Sequence, residues 1–172
     1  MKIRLFVILS LITLAVFALG NIAHGQGEVT ESITGSYYAS SKYIPLGPDR
    51  VYATWESFGV ILCDTGQGLF HNTTNRCVGA WFGEKGSWEG EGYCTYTLKD
   101  GEKVFVTIKH GGKMAPPGTP PPPAKGTAKI IGGTGKYSGI QGQAEFTQYM
   151  LRPSAEGIMQ NYNKGTFRYK LP

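Results

Sequence analysis

A formal charge of +5 over 172 residues is too weak for a nucleic-acid surface, and its basic residues are too scattered: Lys99, Lys103, Lys109 and Lys113 interleave with Asp100 and Glu102, as on a solvated face. Twenty-five glycines and ten tyrosines, with no long 3.6-residue periodicity, exclude a helical or doubly wound enzyme and describe many short strands joined by tight turns.

The chain opens on an address. Lys2 and Arg4 form a positive n-region, Leu5 to Leu19 an apolar core interrupted by Ser10 and Thr13, and Ala23-His24-Gly25 a small-x-small cleavage site, the pattern of a secretory signal peptide over 1–25. The apolar run is about 15 residues, short of the roughly 20 that span a bilayer as a helix. A secreted or periplasmic protein without stable membrane insertion is expected. Removing Lys2 and Arg4 lowers the formal charge to +3. The remainder, 26–172, is one domain's worth of chain with room for one core.

Eight strands are predicted in chain order: Ser32 to Ser41, Arg50 to Cys63, Asn75 to Phe82, Trp88 to Leu98, Lys103 to Lys109, Gly126 to Ile131, Gln141 to Leu151 and Ile158 to Leu171. Period-2 alternation carries several of them. Val104, Val106 and Ile108 share one face, as do Gly165, Phe167, Tyr169 and Leu171 against Thr166, Arg168 and Lys170. Asn72-Thr73-Thr74, formally a glycosylation sequon, reads as a turn before the third strand. Lys99-Asp100-Gly101-Glu102 carries the Asp-Gly pair of two-residue hairpins.

Three cysteines in an exported chain suggest one disulfide and one spare thiol. Cys77 with Cys94 is the preferred pair, because both lie in strands flanking the Gly83-Glu84-Lys85-Gly86 turn, where antiparallel neighbours come within bridging range. Cys63 is then a small hydrophobe without a basic partner to activate it.

Between the fifth and sixth strands, residues 112–124 hold six prolines and cannot be a strand interior. They are expected to form an exposed loop of polyproline II character that packs against nothing. An SH3-type ligand is the functional alternative; a stiff spacer is the plainer one.

The run Ile130 to Gly142 is rich in glycine. It is no phosphate-binding P-loop, because Ile130 and Tyr137 stand where that motif needs Gly and Ser or Thr. Nor is it a dinucleotide fingerprint, since a strand and not a helix follows. Gly132, Gly133, Gly135 and Gly139 read as a structural turn that uses positive φ, with Tyr137 and Ile140 tucked inward. Gly132-Gly133-Thr134-Gly135-Lys136-Tyr137-Ser138-Gly139-Ile140-Gln141-Gly142 followed by a strand resembles the signature turn of the allene oxide cyclase and dirigent-like β-barrels. With Asn75-Arg76-Cys77-Val78-Gly79, Gly92-Tyr93-Cys94, Ala155-Glu156-Gly157, Asn163-Lys164-Gly165 and the Tyr169-Lys170-Leu171-Pro172 end, the run from Gly59 to Pro172 is similar to exported bacterial proteins that resemble that superfamily. The resemblance implies an eight-stranded barrel, in agreement with the strand count. It carries no catalytic residue across, because no match to the cyclase set is found in Ser32 to Arg50.

The expected fold is therefore all-β: a single small antiparallel eight-stranded barrel, allene oxide cyclase-like or lipocalin-like. His71 and His110 lack partners at metal-ligand spacing, so neither a metal nor a cofactor is expected. A Ser57, His110 and Asp64 trio is a chance composition without a nucleophile turn. The interior is the remaining candidate. Trp55, Phe58, Trp81, Trp88, Tyr93, Tyr96, Phe146, Tyr149, Tyr162 and Phe167 can fill it or line a cavity, with Trp55, Trp81, Tyr96, Tyr149 and Glu145 as the candidate ligand-binding set. Glu145 or Glu156, if turned inward, would mark a site. Three functions stay open: a binding module for a small apolar or aromatic molecule, an isomerase or cyclase acting on an oxygenated lipid, and a structural or interaction protein with a filled barrel.

Overall fold

The computed structural model describes residues 27–116, 119, 121–152 and 158–172; the expected signal peptide over 1–25 and Glu156 lie outside them. Eight strands close into one barrel, each hydrogen-bonded antiparallel to its neighbours in chain order, with the last pairing to the first. They are β1 Val29–Gly47, β2 Arg50–Cys63, β3 Thr73–Glu84, β4 Ser87–Thr97, β5 Lys103–Lys113, β6 Ala124–Gly133, β7 Gln141–Leu151 and β8 Met159–Lys170. Closure leaves no unpaired edge.

The alternation read from the sequence decides which side chains face the lumen. Val104 and Val106 are fully buried, Phe167 and Tyr169 nearly so, while lysines, arginines and glutamates such as Arg76, Glu91, Lys109, Lys129 and Arg168 stand exposed between them. An apolar interior with a charged outer face is the reverse of a membrane-spanning barrel. Among the described residues no helix is long and apolar enough to cross a membrane.

The glycines have a second use besides turns. Inward rings lie over glycines of adjoining strands, so that a β-carbon on Gly79 or Gly92 would strike the Trp55 ring, one on Gly126 the Phe146 ring, and one on Gly142 would come within 2.6 Å of the Tyr169 β-carbon. Large and bare positions alternate around the wall, which lets rings fit a narrow barrel.

The two ends differ. One carries the short turns Pro48–Asp49 and Lys85–Gly86, the proline-rich connection and the β7–β8 connection. In the β3–β4 turn Glu84 pairs with Ser87, and both Lys85 (φ 49°) and Gly86 (φ 75°) are left-handed, as tight hairpins matched to strand twist require. The other end is plugged. Phe70, from the β2–β3 loop, is fully buried, stacked on Phe167 at 4.3 Å and edge-on to Tyr96 and Tyr169. Ile61, Val104, Val106, Ile130 and Ile140 complete this core.

The glycine turn belongs to the plugged end and is structural in detail. Gly135–Tyr137 forms a short 3₁₀ turn with Gly135 at φ 52° and Gly139 at φ 96°. Gly133 needs no left-handed backbone; a β-carbon there would instead come within 2.7 Å of the Tyr137 carbonyl oxygen. Thr134 N–H donates to the Lys103 carbonyl at 2.9 Å and the Lys103 N–H to Thr134 Oγ1 at 2.8 Å, while Lys136 pairs with Asp100 at 2.8 Å. The turn thus clasps the β4–β5 hairpin. That hairpin corrects the two-residue reading: Leu98 N–H donates to Glu102 O, leaving three central residues with Gly101 at φ 84°, the other common solution for Asp-Gly.

Candidate functional site

Between the plug and the open end the side chains do not fill the lumen, and a cavity of about 470 Å³ remains, within the usual range for small-molecule sites. All three tryptophans and every methionine after Met1 line it. Filled core and hollow barrel, alternatives in the sequence, occupy opposite halves of one molecule.

The wall has two unlike faces. On β2 to β5, inward positions bring together a chain of edge-to-face rings, Trp81 to Trp88 (6.2 Å), Trp88 to His110 (5.0 Å) and His110 to Trp55 (5.7 Å), which the exposed Tyr43 of β1 extends beyond the cavity at 5.8 Å from Trp81. On β7 and β8, Gln148, Met150, Met159, Asn161 and Asn163 supply amides and thioethers. Deeper in, Tyr37, Tyr96, Phe167 and the cystine lie under the cavity. Cys77 and Cys94 are directly paired across β3 and β4 and joined by a disulfide, as their flanking of the turn predicts.

Several polar atoms here are buried without a protein partner, among them Trp55 Nε1, His110 Nε2 and Asn163 Oδ1. Burial lowers the pKa of His110, against the opposing pull of Gln148, so the ring is neutral at pH 7. Its Nδ1 is 3.2 Å from Gln148 Oε1, which assigns the Nδ1 proton to that bond. Nε2 abuts the β4 wall, 3.1 Å from where a β-carbon on Gly90 would sit. Burial, eased by Asn75 and Asn163, pushes Tyr37 up to about 12.

Of the residues expected to bind, Trp55, Trp81 and Tyr96 line the cavity. Tyr149 does not: it falls between inward Gln148 and Met150 and stacks on Tyr162 at 4.8 Å. Glu145 borders the cavity but is exposed, between inward Ala144 and Phe146. Strand parity turns both side chains outward, as it does the other odd positions of β7. Phe58 and Tyr93 also face out, Phe58 stacked on Tyr38 at 5.5 Å and Tyr93 64% exposed. The proline-rich loop was expected to touch nothing, yet Met114, Ala115, Pro116, Thr119 and Pro121 line the cavity. Met114 N–H donates to the Gly86 carbonyl at 2.9 Å, tying the loop across the mouth.

The buried carboxylate is Glu31, one position before the stretch searched. It accepts from the Leu69 N–H at 2.7 Å, the Phe70 N–H at 3.1 Å and the Cys63 thiol at 3.2 Å, and from the Tyr169 hydroxyl. These bonds hold the plug and leave the carboxylate away from the cavity. Cys63 is buried beside it, and burial together with the Glu31 carboxylate pushes its thiol up to about 12, which makes it unreactive. Among the described residues no three His, Cys, Asp or Glu side chains gather as metal ligands.

No family model and no curated protein matches the sequence. The backbone is similar to that of the pterocarpan synthase dirigent protein GePTS1, with a TM-score of 0.51 and 10% identity over 88% of this chain and 94% of that one. The pterocarpan synthase dirigent protein PsPTS1 gives a TM-score of 0.45 and 11% identity over 87% and 99%. The first likeness supports the shared barrel fold, in keeping with the resemblance carried by the glycine turn.

Proposed function

We propose that the chain is an exported binding protein that holds one small, largely apolar molecule in the open half of its barrel. The carrying observation is the cavity of about 470 Å³ lined by all three tryptophans, under a proline-rich loop anchored at its mouth. Unfilled space bounded by rings loses dispersion contacts and is costly unless a ligand restores them. The disulfide and the apolar interior fit a protein working outside the reducing cytosol.

An isomerase or cyclase needs an acid or base free to meet its substrate. Among the described residues His110 is the one imidazole lining the cavity; its Nδ1 is held by Gln148, and its Nε2, without a hydrogen-bond partner, lies against the β4 strand. The geometry therefore favours binding over proton transfer. The test is N-phenyl-1-naphthylamine, a neutral dye that accepts energy from tryptophan. Saturable binding with quenching of Trp emission, reduced at least tenfold in Trp81→Ala, supports a lumenal site. A dye that stays dark, with Trp emission unchanged, overturns it.

A further inference from the structure

The cavity's charge pattern carries the reading one step further, to the class of ligand; the step rests on the lumenal site proposed above. From rim to floor, the inward polar groups are the amides of Gln148, Asn161 and Asn163, the hydroxyls of Ser57 and Tyr37, the indole N–H of Trp55 and the imidazole of His110, whose burial disfavours its charged form. Among the described residues the cation at the rim is Lys113, whose ammonium is turned aside to Ser87 Oγ at 3.0 Å. Of the acids, Glu145 borders the cavity on an outward, exposed position of β7, and Glu31 is committed to the plug. Amides both donate and accept. They can satisfy a hydroxyl, carbonyl or amide edge, but they cannot neutralise an ion taken out of water, whose burial without a partner is strongly unfavourable.

The unequal walls add shape to this. Rings on β1 to β5 offer faces and edges to a flat apolar body, and the opposite β7–β8 wall offers Asn163 Oδ1 and the buried Asn161 to a polar edge. Met150 and Met159 at that wall supply adaptable surface and not a fixed outline. We infer that the barrel selects an uncharged ring compound, apolar on one side and bearing a hydroxyl, carbonyl or amide on the other, and rejects carboxylates and other anions, fatty acids included.

Two dyes with one skeleton test this: N-phenyl-1-naphthylamine, which is neutral, and 8-anilinonaphthalene-1-sulfonate, which adds an anionic group. Each is titrated into the full mature chain and read by Trp-to-dye energy transfer. The neutral dye is expected to bind at least tenfold more tightly. Met150→Lys, which places a cation at the mouth, is expected to narrow that ratio by fivefold or more, with circular dichroism confirming the fold and Met150→Gln serving as the uncharged control. Equal affinity of the two dyes for the wild-type chain overturns the selectivity while leaving lumenal binding intact. Failure of both dyes overturns the lumenal site itself. A ratio unmoved by Met150→Lys in a folded protein also counts against the inference, since the lack of a cation is then not its cause.

Discussion

Replacing Glu31 by Gln keeps the shape of the side chain and removes its charge, which isolates what that carboxylate does for the plugged end. The carboxylate accepts two backbone N–H groups, one hydroxyl and one thiol. An amide has one oxygen, so whichever way it turns, an NH₂ group must face two donors. The favourable choice keeps Leu69 N–H and Tyr169 O–H on the oxygen and sets the NH₂ against Phe70 N–H and the weakly donating Cys63 thiol. One charge-assisted backbone bond is then lost and its buried N–H left unsatisfied, at about 1.5–3 kcal/mol, and the two remaining bonds lose their charge assistance. A loss of about 3 kcal/mol follows, which for a domain of this size lowers Tm by about 9 °C. Thermal melts by circular dichroism measure it, with exposed Ser32→Gln as control. Amide exchange at Leu69 and Phe70 should accelerate more than exchange in β5. A Tm within 2 °C of wild type, or unchanged protection at those two amides, would refute the role given to Glu31.

Non-reducing peptide mapping should recover Cys77 and Cys94 as one linked fragment. Replacing both should cost about 3 kcal/mol by chain entropy for a separation of 17 residues. Cys63 should alkylate only after denaturation. Because its thiol is raised from 9.0 to about 12 in the fold, the folded state retains that proton longer than the unfolded chain. The stability it contributes is therefore whole below about pH 9 and lost as pH rises toward 12; Cys63→Ala should flatten the alkaline arm of the stability profile, as urea titrations across pH will register. Gly135→Ala forces a β-carbon onto left-handed backbone against the Glu102 carboxylate and should cost about 1 kcal/mol or more. Lys136→Ala removes an exposed ion pair and should change stability by about 0.5 kcal/mol or less; equal losses in the two melts would contradict a purely structural turn. Shortening the proline-rich loop between Met114 and Pro121 should leave the melting temperature nearly unchanged yet speed dye dissociation in stopped flow, and an unaltered off-rate would show that the loop does not cover the mouth.

Strand number, the limits of β2 and β7 and the disulfide were legible because each is written locally, whereas β1 runs well past Ser32–Ser41 to Val29–Gly47 and β3 takes in Thr73 and Thr74, read as turn. Arg50–Cys63 and Gln141–Leu151 are bounded by turn residues on both sides, and the inward set Val104, Val106, Ile108 follows from a period of two. What the sequence leaves open is everything that depends on parity relative to a neighbour. Tyr149 and Glu145 look as suited to a lumen as Gln148 and Phe146 do, and only the register of β7 against β6 and β8 sends them outward. The same holds for His110 and for Met150 and Met159, ordinary residues until closure aims them at one space. Glu31 acquires its partners from a loop nearly forty residues away, and the proline-rich segment acquires its place over the mouth from Gly86. By itself the sequence determined an eight-stranded antiparallel barrel with one cystine, since periodicity, turn chemistry and cysteine position act over a few residues. Tertiary structure alone decided that one half of that barrel is filled and the other hollow. Whether a lumen fills depends on how rings from eight strands meet across it, and no stretch of one strand contains that information.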